Sequence, residues 1–103
     1  MIKIEVEKSN GAIVSIKASG HAGSGEYGHD LVCAAVSAIL TGGANALNEK
    51  PSFELRLSSG NAIIRLMENE MLSTHDEVVL ETILVELQTI EESYRKFIKI
   101  EIL

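Results

Sequence analysis

The chain has 103 residues, 46% of them hydrophobic, with a formal net charge of -6 and one cysteine. That length fits a single domain over residues 1–103 with a packed core; one thiol excludes an intramolecular disulfide framework, and the acidic balance argues against direct nucleic-acid binding, which needs Lys and Arg to displace counterions. No apolar run approaches the ~20 residues that span a bilayer, and the opening MIKIEVEKSN alternates where a signal peptide would be continuously apolar, so a cytoplasmic location without membrane association is expected.

Residues 2–8 place Ile2, Ile4 and Val6 on one side and Lys3, Glu5 and Glu7 on the other, the pattern of a half-buried strand. Ser9-Asn10-Gly11 is a turn signal. A second strand follows, with Val14, Ile16 and Ala18 alternating against Ser15 and Lys17, and the two are expected to form a hairpin. Residues 20–29, GHAGSGEYGH, are too rich in glycine for a regular element. Asp30 is then placed as an N-cap, with a helix from Leu31 to about Leu47 and an apolar stripe of Val32, Val36, Ile39, Leu40 and Leu47. Gly42-Gly43 inside it marks either close packing by a neighbour, the favoured reading, or an early helix end.

Pro51 closes the helical region. Phe53, Leu55 and Leu57 alternate with Glu54 and Arg56 as a third strand, Ser58-Ser59-Gly60-Asn61 forms a turn, and Ala62, Ile64 and Leu66 continue as a fourth. Ser73 or Thr74 caps a second helix, Thr74 with Glu77 having the capping-box spacing. Leu80, Ile83, Leu84, Leu87 and Ile90 form its buried stripe, and Ile98, Ile100 and Ile102 a last strand. The order ββαββαβ predicts an α+β domain with two helices packed on a largely antiparallel sheet.

One stretch departs from a plain domain of that kind, GHAGSGEYGHDLVCAAVS over residues 20–37. His21 is placed at a strand end and Cys33 in the first turn of a helix, as its third residue if Asp30 is the cap. There the helix dipole and the unpaired N–H groups favour the thiolate, and a nearby imidazole lowers the thiol pKa further and shuttles a proton. Asp30 cuts both ways: its charge opposes the thiolate, yet it is a candidate to orient His21. Ser37 lies one turn after Cys33, on the same face, either to support the site or to bond its own helix. Pattern alone favours the bland alternatives: Cys33 as a small core residue, and His21, His29 and His75 at the surface. Tyr27 is either a loop anchor or a substrate contact. Metal ligation by His21, His29 and Cys33 is a minor alternative without a zinc-type spacing; neither metal nor other cofactor is expected.

The same run closely resembles the signature of the ribosomal-processing cysteine proteases, the Prp family of small bacterial proteins. That signature has a Gly-His-Ala, a glycine-rich loop, an aromatic-Gly pair, then Asp, two apolar residues, Cys-Ala-Ala, an apolar residue and Ser. His21 and Cys33 stand twelve positions apart, as the family requires. The resemblance implies a cysteine protease that removes the N-terminal extension of large-subunit ribosomal protein twenty-seven. It implies His21 as general acid/base, Cys33 as nucleophile and Asp30 and Ser37 in support. It also implies a substrate loop with Gly23, Ser24, Gly25, Tyr27 and Gly28, an apolar groove beside Cys33, and a homodimer. Ser24-Gly25 is a variable position where bulkier residues are expected in some relatives. The alternative class is a non-catalytic, ribosome-associated binding module with Cys33 in its core.

Overall fold

Alternation of apolar and charged residues produces strand β1, Ile2–Ser9, with Ile2, Ile4 and Val6 buried. It turns through Asn10 and Gly11, both at positive φ (52° and 82°), as a two-residue hairpin of matching twist requires, into strand β2, Ala12–Ser19. Helix α1 spans Tyr27–Asn45; strands β3, Phe53–Ser58, and β4, Asn61–Leu66, precede helix α2, Thr74–Ser93, and strand β5, Ile98–Ile102. The computed structural model describes residues 1–20, 27–58 and 60–103, and of 27–30 the backbone alone.

The order is ββαββαβ, as the sequence predicts, and the strands lie side by side as β3-β4-β2-β1-β5. Every pairing is antiparallel except β1 with β5. The two helices bury their stripes, Val32, Val36 and Leu40 from α1 and Leu80, Ile83 and Leu87 from α2, against Ile4, Ile16 and Ile64 of the sheet. The other register positions carry Glu54, Arg65, Lys3 and Glu101, which pair across strands.

Strand β2 departs from the simple alternation. The pairing of β1 with β2 shifts between Glu7 and Lys8, so that Glu7 faces Ser15, Lys8 faces Ile13, and Val14 is the extra residue of a bulge. Ile13 therefore takes the core position that alternation assigns to Val14, and Val14 is half-buried. Ser15 keeps its register opposite Glu7 and Arg65, yet it is only 1% exposed.

Gly42 and Gly43 are both inside α1, and close packing explains the second alone: a Cβ on Gly43 would overlap the Ile83 side chain of α2, whereas one on Gly42 would meet open space. The helix ends at Asn45, two residues short of the expected Leu47. Side chains from α2 and from the segment before β3 close this end. His75 donates from Nε2 to the Ala46 carbonyl at 2.8 Å, and Lys50 Nζ donates to the Leu47 carbonyl at 2.7 Å. Ser73, not Thr74, caps α2 by accepting from the Asp76 amide.

Asp76 is fully buried, and its carboxylate accepts from the amides of Asn48 (2.7 Å) and Glu49 (3.0 Å), holding the chain between the helices and β3. Removing that acceptor leaves two amides without a partner, at about 1–3 kcal/mol. Asp76→Ala is expected to lower the unfolding free energy by that amount in urea titration, with Asp76→Asn losing less; a change under about 0.5 kcal/mol would contradict this role.

Candidate active site

The site is built where the end of β2 meets the start of β4. Ser19 pairs with Asn61, and the sheet carries this row on to Lys3 of β1 and Ser58 of β3. One residue on, the Gly20 amide donates to the Gly60 carbonyl at 3.1 Å. Gly20 has φ +102°, and a Cβ there would overlap the Met1 carbonyl oxygen. Only glycine fits both constraints, so the point from which residue 21 departs is fixed by the backbone of three strand ends.

Against this edge stands α1. Cys33 is half-buried and packs on the core, and it also lines a small cavity of about 50 Å³. Gly20, Ser37, Leu40, Asn61 and Ala62 line the same cavity. The structure thus brings Cys33 together with Ser37, one turn along the helix, and with the residue that precedes His21. Gly60, Asn61 and Ala62 escaped the sequence reading as site residues because a turn followed by a strand carries no chemical signature. Ser37, Leu40, Ser58 and Ala62 also border an adjoining cavity of about 220 Å³ completed by Thr41 and Leu57.

Two expectations are corrected. Helix α1 begins at Tyr27, so Asp30 is its fourth residue rather than its N-cap, and Cys33 is its seventh rather than its third. An acidic residue is favoured by the dipole anywhere in the first turn, which is why Asp30 reads equally as a cap from sequence. Tyr27 and Gly28, assigned to the loop, are the first two helical residues. Cys33 consequently lies beyond the first turn, where the free N–H groups and most of the dipole effect are found. His21, Gly23, Ser24 and Gly25 lie outside the described residues, as do the side chains of Tyr27, His29 and Asp30. The metal alternative therefore has two of its three residues there.

Among the described residues, no helix is long and apolar enough to cross a membrane. The fold and the half-buried cysteine in a cleft are those of a small α+β cysteine protease, and comparison with known proteins gives the family. The family described as cysteine protease Prp matches residues 1–99. A ribosomal processing cysteine protease Prp of Staphylococcus aureus (strain Mu50 / ATCC 700699) is 36% identical over 105 residues, covering 97% of each chain. Two crystal structures of an essential ribosomal processing protease Prp from S. aureus superpose over the full length of both chains with a TM-score of 0.82. One is in complex with a substrate peptide, at 33% identity, and the other with a covalently linked product peptide, at 35%. The chain belongs to the cysteine protease Prp family, and it is a cysteine protease.

Gly20→Ala forces a side chain into the Met1 carbonyl at a positive φ and is expected to cost about 1–3 kcal/mol of stability. Thermal unfolding checks this. A variant with unchanged Tm would show that the edge yields and that the departure point of residue 21 is not fixed by Met1.

Proposed function

We propose that this protease removes the N-terminal extension of large-subunit ribosomal protein twenty-seven, with Cys33 as nucleophile and His21 as general acid/base. The observation that carries the reading is the placement of Cys33 and Gly20 on one cavity. Gly20, on the cavity that holds the thiol, is the residue that precedes His21 in the chain. The names of the S. aureus relatives, which specify ribosomal processing, support the substrate class. The apolar lining from Ala18, Val36, Leu40 and Ala62 suits a peptide with hydrophobic side chains near the bond that is cut.

The chemistry follows from these groups. His21 takes the Cys33 proton, and the thiolate attacks the scissile carbonyl. The imidazolium returns the proton to the leaving amine as the C–N bond breaks, leaving an acyl-thioester on Cys33. His21 then deprotonates a water that attacks the thioester, and the thiolate leaves. At the seventh helical position Cys33 lies beyond the free amides of the first turn, so the imidazole of His21 is the base in this mechanism. Ser37, on the same cavity, supports the sulfur or the peptide by hydrogen bonding, and Asp30 orients His21. Gly23, Ser24, Gly25, Tyr27 and Gly28 contribute to holding the peptide. The chain acts as one catalytic domain over residues 1–103 and, as the family resemblance implies, as a cytoplasmic homodimer.

Incubation with the extended ribosomal protein, followed by mass spectrometry, tests this directly. Wild type is expected to release the extension at a single bond, while Cys33→Ala and His21→Ala each lose at least about a thousandfold in rate. Cleavage by Cys33→Ala at the wild-type rate would overturn the assignment and favour a non-catalytic, ribosome-associated module.

A further inference from the structure

Helix α2 carries 6 of the 15 acidic residues of the chain and none of its 9 Lys and Arg. Two of the six are committed inside the fold: the carboxylates of Asp76 and Glu91 accept backbone amides. The helix itself does not call for the rest. Glu77 and Glu81 are like charges one turn apart, an arrangement that costs helix stability. The ion pairs of Lys3, Arg56, Arg65 and Lys99 lie on the sheet, away from this helix.

These acids stand beside an apolar groove. On the side away from the sheet, α1 and α2 leave a channel of about 400 Å³ between them. Ala38, Gly42 and Ala46, small residues at four-residue spacing, make its α1 wall, and Val78 and Thr82 its α2 wall, with Glu86 at the rim. Val78 and Val85 are 56% and 59% exposed, and Glu81 is next to both at three- and four-residue spacing. From Leu31 to Asn45, α1 offers no charge at all. An uncharged floor with carboxylates along one side is complementary to a cationic segment that has an apolar face. A second copy of this chain is a poor occupant, because a two-fold contact sets a patch against itself and would bring the carboxylates of one α2 onto those of the other. The groove also lies close to the cleft. Ser37 and Thr41 border the cavities at the thiol, and Ala38 and Gly42, one residue on, border the groove. A substrate held at Cys33 has only α1 to cross, about 10 Å.

We propose that the groove between α1 and α2 is a docking site for a cationic, amphipathic segment in the mature part of the substrate. The inference rests on the reading that the substrate is a ribosomal protein, since a protein that neutralises RNA phosphates is rich in Lys and Arg. It adds to that reading a second point of contact, remote from the bond that is cut, which a short peptide spanning the bond does not use.

The mature ribosomal protein twenty-seven, which lacks the scissile bond, is titrated into the protein by calorimetry. Wild type is expected to bind it, with an affinity that falls as salt rises from about 50 to about 500 mM. The double variant Glu81→Lys, Glu86→Lys should weaken binding at least about tenfold. Gly42→Phe, whose Cβ meets open space, should do the same by filling the groove. In cleavage assays both variants should raise KM for the extended protein while kcat, and kcat/KM for a short peptide spanning the bond, stay as in wild type. Damage to the fold would lower all of these together. No binding by wild type, binding unchanged in both variants, or binding indifferent to salt would overturn the docking site. So would sedimentation in which Gly42→Phe turns a dimer into a monomer, because the groove then holds a second copy. The two readings fail separately. Wild type that binds the mature protein but does not cut the extended one loses the protease assignment and keeps the docking site, and cleavage without that binding does the reverse.

Discussion

The amide of Gly20 donates to the Gly60 carbonyl while the Met1 carbonyl occupies the space where a side chain would be. These backbone contacts join the start of β1, the end of β2 and the turn before β4 at one edge of the sheet. The rest of the site depends on that junction. It fixes where the chain leaves β2, and it makes one wall of the cavity whose other wall is α1. Strand register enforces it, because a slip of one residue in β2 against β4 would turn Ile16 and Ala18 away from the core face that Ile64 and Ala62 keep. Burial of those side chains thus holds one wall of the candidate site, to which they contribute no chemistry.

Helix α1 supplies the other wall and constrains the chemistry. Its stripe of Val32, Val36 and Leu40 faces the sheet, which places Cys33 and Ser37 beside that stripe and on the cavity. The helix reaches back to Tyr27, and this moves the thiol out of the first turn, where dipole and free amides would favour its ionised form. In the proposed mechanism the burden passes to His21, which agrees with a thiol that is half-buried against apolar neighbours and needs a base at hand. The bland reading of Cys33 as a core residue and the catalytic one are not exclusive in this fold, because the residue packs on the core and borders the cleft together.

Much of the architecture was legible because its signals are periodic. Alternation at Ile2–Val6 and the helical stripe of Leu80, Ile83, Leu84 and Leu87 both mark buried faces, while the alternation at Phe53–Leu57 marks a strand whose burial fades from Phe53 to an exposed Leu57. What was not legible depends on tertiary contacts. The bulge that exchanges Ile13 for Val14 arises from pairing with β1, and no local pattern announces it. The helix start at Tyr27 was hidden because an Asp is favoured both at a cap and within the first turn. The anchoring role of Asp76 comes from amides nearly thirty residues earlier in the chain. At the site, the run from Gly20 to Ser37 marked Cys33 and Ser37 correctly as neighbours. The opposite wall, from Gly60 to Ala62, consists of backbone and small side chains that look like an ordinary turn and strand.

The central claim is that a covalent intermediate forms on Cys33, and trapping that intermediate tests it most directly. The protein is mixed with an extended ribosomal protein twenty-seven, quenched in acid within the first turnover and mapped by tandem mass spectrometry. A thioester between the released extension and Cys33, absent from the His21→Ala variant, is the expected result. Cleavage that proceeds with no adduct at Cys33, or with the adduct on another residue, would contradict it.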